Sequence, residues 1–404
     1  MGGASDLINV TTEQRQILNL LGHNLFSAPL EILPNVDWDL VARESMAQTV
    51  FITTFYNYRE YLLSPEFASK VQAALRKQML YNAECFKKYN YLHELMMKHH
   101  IPYCVVKGVV SAMYYPDVIL RSMGDVDFYV ASHEIDRALR VFLDDGFSYD
   151  DHHDVHLVLK GKNGYFEMHF KPVSYCEEHG EIFLRAWEDI LETADIARAD
   201  VATFVRPSVF HHGFILLTHL HAHLSSSGVG LRHLVDWAVF ANSLSETQFR
   251  EIFEQRFKAY GLWRFAQLLS LAAVRHMGMP YQSWMGEDGD TADELLLDIL
   301  RGGNFGRKDK QRKYEGLFIS GGTRIPRKNR VKNVFRSMNH IVDNNWKAAK
   351  KCPLLYPVGW VVFTLRFLFR VLVGKRMVNV VSSFKKGGER TRLYERIKIF
   401  EPEE

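Results

Sequence analysis

The chain has 404 residues, 47% of them hydrophobic and 24% charged, with a net charge of +3 at neutral pH. That length suits two or three domains, and the balance of apolar and charged residues excludes a disordered chain. So small a positive excess does not by itself indicate a nucleic-acid partner.

Met1 to Leu20 has no basic stretch followed by an apolar run, so no signal peptide is expected. Residues 10–100 read as helices. Thr11 supplies a capping residue before Ile17, Leu18, Leu20 and Leu21, Pro65-Glu66 opens another helix, and Leu75, Met79, Phe86, Leu92, Leu95 and Met96 continue its apolar stripe. After Ile101-Pro102 the pattern changes. Tyr103 to Val106 is β-like, Val109 to Tyr115 helical, Val126 to Val130 a strand, and Ile135 to Asp144 a helix ended by Gly146. Val155 to Leu159 alternates weakly, Gly161 to Gly164 turns, and Tyr165 to Phe170 is a further strand. This order predicts an α+β chain with a small mixed-sheet core. From Pro207 helices return, over Phe210–Leu224, Leu231–Leu244, Glu246–Tyr260, Leu262–Met277 and Thr291–Leu300, until Gly302 to Gly306 break them. The expected divisions are a helical region 1–100, an α/β core 101–206, a helical domain 207–350 with a basic segment, and a helical, basic tail 351–404.

The basic segment 307–336 carries eleven Lys and Arg against Asp309 and Glu315. It reads as a solvated face or as a track for a phosphate-rich partner such as RNA. Leu354 to Val373 is mostly apolar, but Arg366 and Arg370 interrupt it, and an arginine near a bilayer centre costs about 2.5–3.5 kcal/mol. No span is expected. A helix packed on the protein is expected, with a helix lying on a membrane surface through 354–376 as the alternative. Cys85, Cys104, Cys176 and Cys352 form no Cys-x-x-Cys pair, which predicts free thiols in a reducing cytoplasm.

The most informative stretch runs from Lys107-Gly108 to Asp125-Val126-Asp127-Phe128. Strand side chains alternate, so Asp125 and Asp127 share a face. Aspartate is depleted in strands, and two on one face repel unless a cation lies between them. Glu167, between Phe166 and Met168 and on the face of His169, can join them from a neighbouring strand as a third metal ligand or as a base. Gly108 allows close backbone approach to phosphate, with Ser111 in the helix that follows. Lys107 adds a point charge and Arg121 a bidentate fork. Two or three carboxylates beside a glycine turn form the active-site plan of a nucleotidyltransferase, with divalent metal against a triphosphate. The bland alternative is a solvated strand end with Arg121 as ion-pair partner, and Glu167 at an edge beside Lys160 or Lys171.

His211, His212, His219, His221 and His223 crowd one helix. His219-x-x-x-His223 has zinc spacing but lacks the glutamate of a His-Glu-x-x-His motif. A polar wall facing the cleft is the better reading, with His212 on the same helix face. Arg232 and Asp236, four apart, predict an ion pair on the next helix.

Val106-Lys107-Gly108, Tyr115-Pro116, Arg121 to Asp127, Phe166 to His169, His219 to His223, Leu231 to Asp236 and Gly303 to Gly306 together resemble the uncharacterised nucleotidyltransferase family of bacteria, within the DNA polymerase β-like superfamily. The resemblance implies a mixed sheet flanked by helical regions. It also implies two Mg²⁺ ions (or Mn²⁺) on Asp125, Asp127 and Glu167, and transfer of a nucleoside monophosphate from ATP or another NTP with loss of pyrophosphate. Lys107, Gly108, Ser111, Arg121, His219, His223 and Arg232 would line the nucleotide site. Relatives near capsule and exopolysaccharide genes hint at a sugar, lipid-linked or protein acceptor, which is analogy alone. The superfamily's usual Gly-Ser or Gly-Gly turn is replaced here by Lys107-Gly108-Val109. A tRNA-modifying toxin-like enzyme and a non-catalytic nucleotide-binding scaffold are the competing readings.

Overall fold

The computed structural model describes residues 9–61, 63–150, 155–173, 179–226, 228–306, 308, 312, 338–339, 342, 346, 349, 353–373 and 390–403. Thr11 caps α1 (Thr12–Phe26): its hydroxyl accepts from the Gln14 amide, and the Gln14 side chain accepts from the Thr11 amide. Helices α2 (Trp38–Ala47) and α3 (Phe51–Phe55) follow. The long α4 (Pro65–Lys98) starts behind a Ser64 cap, with proline in its first turn. Its stripe serves two cores. Phe67, Val71 and Leu75 pack with the helical regions, whereas Cys85, Phe86, Tyr89, Leu92 and Met96 pack against the sheet. The α/β unit is therefore built on a helix that lies before residue 100.

The sheet has five strands: β1 (Tyr103–Val105), β2 (Val126–Val130), β3 (Ser148–Asp150), β4 (His156–Gly161) and β5 (Gly164–His169), in the order β1-β2-β5-β4-β3. Only β2 and β5 are parallel; the other neighbours are antiparallel. A short helix α5 (Val109–Ala112) lies between β1 and β2, and α6 (Ile135–Asp144) between β2 and β3. Val126, Phe128, Val130, Phe166 and Met168 face α4 and α6 in the second core, where the Phe128 and Phe142 rings lie 5.8 Å apart. The alternate residues Asp127, Glu167 and His169 lie on the other face, toward the C-terminal helices.

Residues 171–206, where the sequence suggested no element, form α7 (Gly180–Trp187) and a hairpin of β6 (Asp195–Ala199) and β7 (Ala202–Arg206). Asn90 of α4 tethers the hairpin turn, donating to the Val201 carbonyl at 2.9 Å and accepting from the Thr203 amide at 2.7 Å. Helices α8 (Val209–Ser225), α9 (Leu231–Asn242), α10 (Glu246–Phe249), α11 (Gln255–Tyr260), α12 (Trp263–Met277) and α13 (Gly289–Gly302) follow the periodicity, with a π-helical turn joining α10 to α11. Near the C-terminus Ile397, Ile399 and Phe400 return to the helical core. The apolar segment forms α14 (Tyr356–Val373), and no described helix is long and apolar enough to cross a membrane. Cys85 and Cys104 are buried free thiols.

Candidate active site

A cleft of about 670 Å³ opens between the sheet and helices α8 and α9. Asp125, Asp127, Glu167, Lys107, Gly108, Ser111, Arg121, His219, His223 and Arg232 all line it, drawn from positions more than a hundred residues apart. Asp125 immediately precedes β2 and Asp127 is its second residue. Parallel pairing sets Asp127 directly beside Glu167, and Tyr129 beside His169. The three carboxylates thus share one sheet face.

Their environments differ. Burial, then the charges of Glu167 and Asp127, push the Asp125 carboxyl upward. Burial would also raise Asp127, but Lys107 and His169 outweigh it and hold that carboxyl below the usual range. Lys107 Nζ lies 3.0 Å and His169 Nε2 3.1 Å from Asp127 Oδ1. Glu167 has His156 at 3.9 Å and His169 at 3.8 Å. His156, Glu167 and His169 each offer a ligand atom within 4.8 Å of the others, the one such grouping among the described residues. His169 shares the face of Glu167 through period-2 spacing. His156 had no sequence signal of its own and arrives because β4 pairs it across from His169.

Gly108 adopts φ +62°, and a Cβ there would overlap the Tyr89 hydroxyl. That hydroxyl accepts from the Val109 amide at 3.2 Å, and the Val110 amide donates to the Lys107 carbonyl at 3.3 Å. The glycine thus makes room for a tyrosine, and the Val109 and Val110 amides beside it are already engaged within the protein. Ser111 Oγ is buried without a hydrogen-bond partner among the described residues.

Arg121 is not a free fork. Its Nε and Nη2 each donate to Asp236 at 2.8 Å, and Asp236 also accepts from the Tyr115 hydroxyl at 2.7 Å. The expected Arg232–Asp236 pair does not form, because Asp236 turns to this buried guanidinium from the nucleotidyl-type core. Arg232 instead donates to the Ser122 carbonyl at 3.4 Å and leaves its Nε buried without a partner among the described residues. Burial and the neighbouring Arg121 pull its pKa down.

His219 and His223 meet at 4.4 Å between ring centroids, with His233 of α9 at 5.5 Å from His219. Burial first, then Lys107 and other nearby positive or titratable groups, keeps His219 well below its ordinary pKa and lowers His223 to about 4. His212 lies away from this wall, stacked on Tyr114 at 5.3 Å and edge-on to Phe240. Most of the basic segment 307–336 lies outside the described residues. Of its described members, Lys308 pairs with Glu44 at 2.6 Å and Arg312 with Asp298 at 2.5 Å.

A mixed five-stranded sheet carrying acidic residues on the face of a cleft closed by helices is a nucleotidyltransferase-type fold. Residues 34–278, more than half of the chain, match the family described as uncharacterised nucleotidyltransferase, and the chain belongs to that family. No curated protein and no solved structure matches the chain.

Proposed function

We propose that the protein transfers a nucleoside monophosphate from an NTP to a hydroxyl acceptor and releases pyrophosphate, with Asp125, Asp127 and Glu167 as the reactive carboxylates. The observation that carries this reading is the register pairing of Asp127 with Glu167, with Asp125 preceding on the same face. The donor chemistry fits a divalent cation: three hard carboxylates line the same cleft face, and burial, then the charges of Glu167 and Asp127, raises Asp125. Asp125, Asp127 and Glu167 would hold Mg²⁺, which when bound neutralises the triphosphate and favours the alkoxide form of the acceptor. Lys107 keeps Asp127 ionised and can offer a proton-bearing cation to a phosphate oxygen. Glu167 accepts the acceptor's proton as general base. Arg232 and Ser111, with unmet hydrogen-bonding capacity inside the cleft, and neutral His219 and His223 bind the phosphates. Arg121 supports the site by bracing α9 to the loop before Asp125.

The test is transfer of label from α-labelled NTP, with pyrophosphate release, in the presence of cell extract. Label entering a product with one NTP supports the reading, and no turnover with any NTP rejects it. RNase treatment of the extract separates a tRNA acceptor from a sugar, lipid-linked or protein one.

A further inference from the structure

We infer that His156, Glu167 and His169 form a binding site for a late first-row transition-metal dication, so that this end of the cleft prefers Zn²⁺ or Co²⁺ to Mg²⁺. One ligand atom from each residue lies within 4.8 Å of the other two, and Glu167 Oε2 is 3.9 Å from His156 Nε2 and 3.8 Å from His169 Nε2. Atoms so spaced leave a point roughly 2.3–2.5 Å from each, close to the about 2.0–2.2 Å of nitrogen and oxygen ligands on zinc. Side-chain rotation of a few tenths of an ångström closes the difference. The site is preorganised by the antiparallel pairing of His156 with His169, which brings their ring centroids to 4.9 Å. His169 is almost fully buried, and its Nε2, which now lies 3.1 Å from Asp127 Oδ1, gives up that hydrogen bond when it ligates the ion. Imidazole nitrogen is a good ligand for zinc and the other late first-row ions and a poor one for magnesium, which keeps oxygen ligands and water. Two imidazoles and one carboxylate leave coordination positions open for substrate or water. The inference shares Glu167 with the proposed carboxylate cluster but does not need nucleotidyl transfer to be correct.

The experiment titrates the metal-free full-length protein with Co²⁺ and follows the visible d–d absorption, without nucleotide. One equivalent should bind, be displaced by Zn²⁺, and persist in about a 1,000-fold excess of Mg²⁺. His156→Ala should weaken it at least about 10-fold, the loss that even an outer partner of a metal ligand causes. Because His169 is buried, His169→Asn is paired with circular dichroism, and His156→Ala carries the conclusion if that variant fails to fold. Displacement of Co²⁺ by equimolar Mg²⁺, or unchanged binding in His156→Ala, overturns the assignment. Absent transfer with intact Co²⁺ binding counts against the nucleotidyl reading alone.

A separate observation carries a second proposal, that α14 lies on an anionic lipid surface. Leu354 in the turn before α14, and Val358, Val361, Val362 and Leu365 within it, recur at helical spacing and are 85%, 50%, 59%, 43% and 59% exposed. Residues 344–388 contain nine Lys and Arg and no Asp or Glu. An apolar stripe inside a wholly basic segment complements acyl chains beneath anionic headgroups. Flotation of the full-length protein with phosphatidylcholine vesicles, with and without phosphatidylserine, tests it. Binding should require phosphatidylserine, weaken with salt, and fall at least about 5-fold in Val361→Asp, which replaces an apolar contact with a charge that anionic headgroups repel. No flotation with either vesicle, or equal flotation of Val361→Asp, refutes it. Dimerisation in vesicle-free buffer that this variant abolishes also refutes it, making the stripe a contact between copies.

Discussion

Replacing Asp236 with alanine should cost far more stability than activity chemistry explains. Arg121 and Asp236 are 5% and 3% exposed and share two hydrogen bonds of 2.8 Å. Burial works against the Arg121 charge, and the adjacent carboxylate more than restores it. Asp236→Ala leaves that guanidinium buried and unpaired, a defect of about 3–5 kcal/mol. It also removes the acceptor of the Tyr115 hydroxyl, which adds about 1–3 kcal/mol. Solvent screening does not reduce these figures, since neither side chain is more than 6% exposed. Urea denaturation followed by tryptophan fluorescence measures the loss. The double variant Arg121→Met, Asp236→Leu removes both charges and should recover most of it. NTP binding in that double variant discriminates the roles: retained binding supports a brace, whereas restored stability with lost binding returns Arg121 to the phosphates. A loss below about 1 kcal/mol in Asp236→Ala would refute the buried-pair argument.

Asp125→Asn and Asp127→Asn should both abolish pyrophosphate release, but melting should separate them: Asp125→Asn relieves repulsion and stays as stable as wild type, while Asp127→Asn strands Lys107 and melts lower. Glu167→Gln should slow transfer at least about 10²-fold with little change in nucleotide affinity, as loss of a general base predicts; a near-normal single-turnover rate would remove Glu167 from the chemistry. His212 and His223 have folded pKa values lowered by burial to about 3 and about 4, below the unfolded value near 6.5. The unfolded chain therefore binds more protons below pH 6.5, and the stability these groups contribute, complete above that pH, declines as pH falls toward 4, by about 1.4 kcal/mol per unit per histidine. Denaturation midpoints between pH 7 and 4 check this, and His212→Phe should flatten its share of the slope.

The element plan was legible because burial on one side imposes period. The stripe of α4, the Thr11 cap, β2, β5 and the helices after Pro207 all declared themselves by spacing. Asp125 and Asp127 stood out because a strand rarely tolerates such a pair, and Glu167 because it interrupts an apolar run. The hairpin β6–β7 was not legible: Asp195-Ile196-Ala197-Arg198-Ala199 has weak strand character, and Asn90 and α4 hold it. Partner choice was also beyond local pattern. Spacing on one helix suggested Arg232 for Asp236, but a desolvated carboxylate takes whichever cation tertiary packing brings into bidentate reach, and that is Arg121. Likewise His156 reaches Glu167 only through strand pairing, which joins residues by hydrogen-bond register rather than by sequence distance. The sequence by itself determined which side chains carry charge and which faces they occupy; the tertiary structure decided which charges meet, because burial makes every ionised group depend on neighbours that distant segments supply.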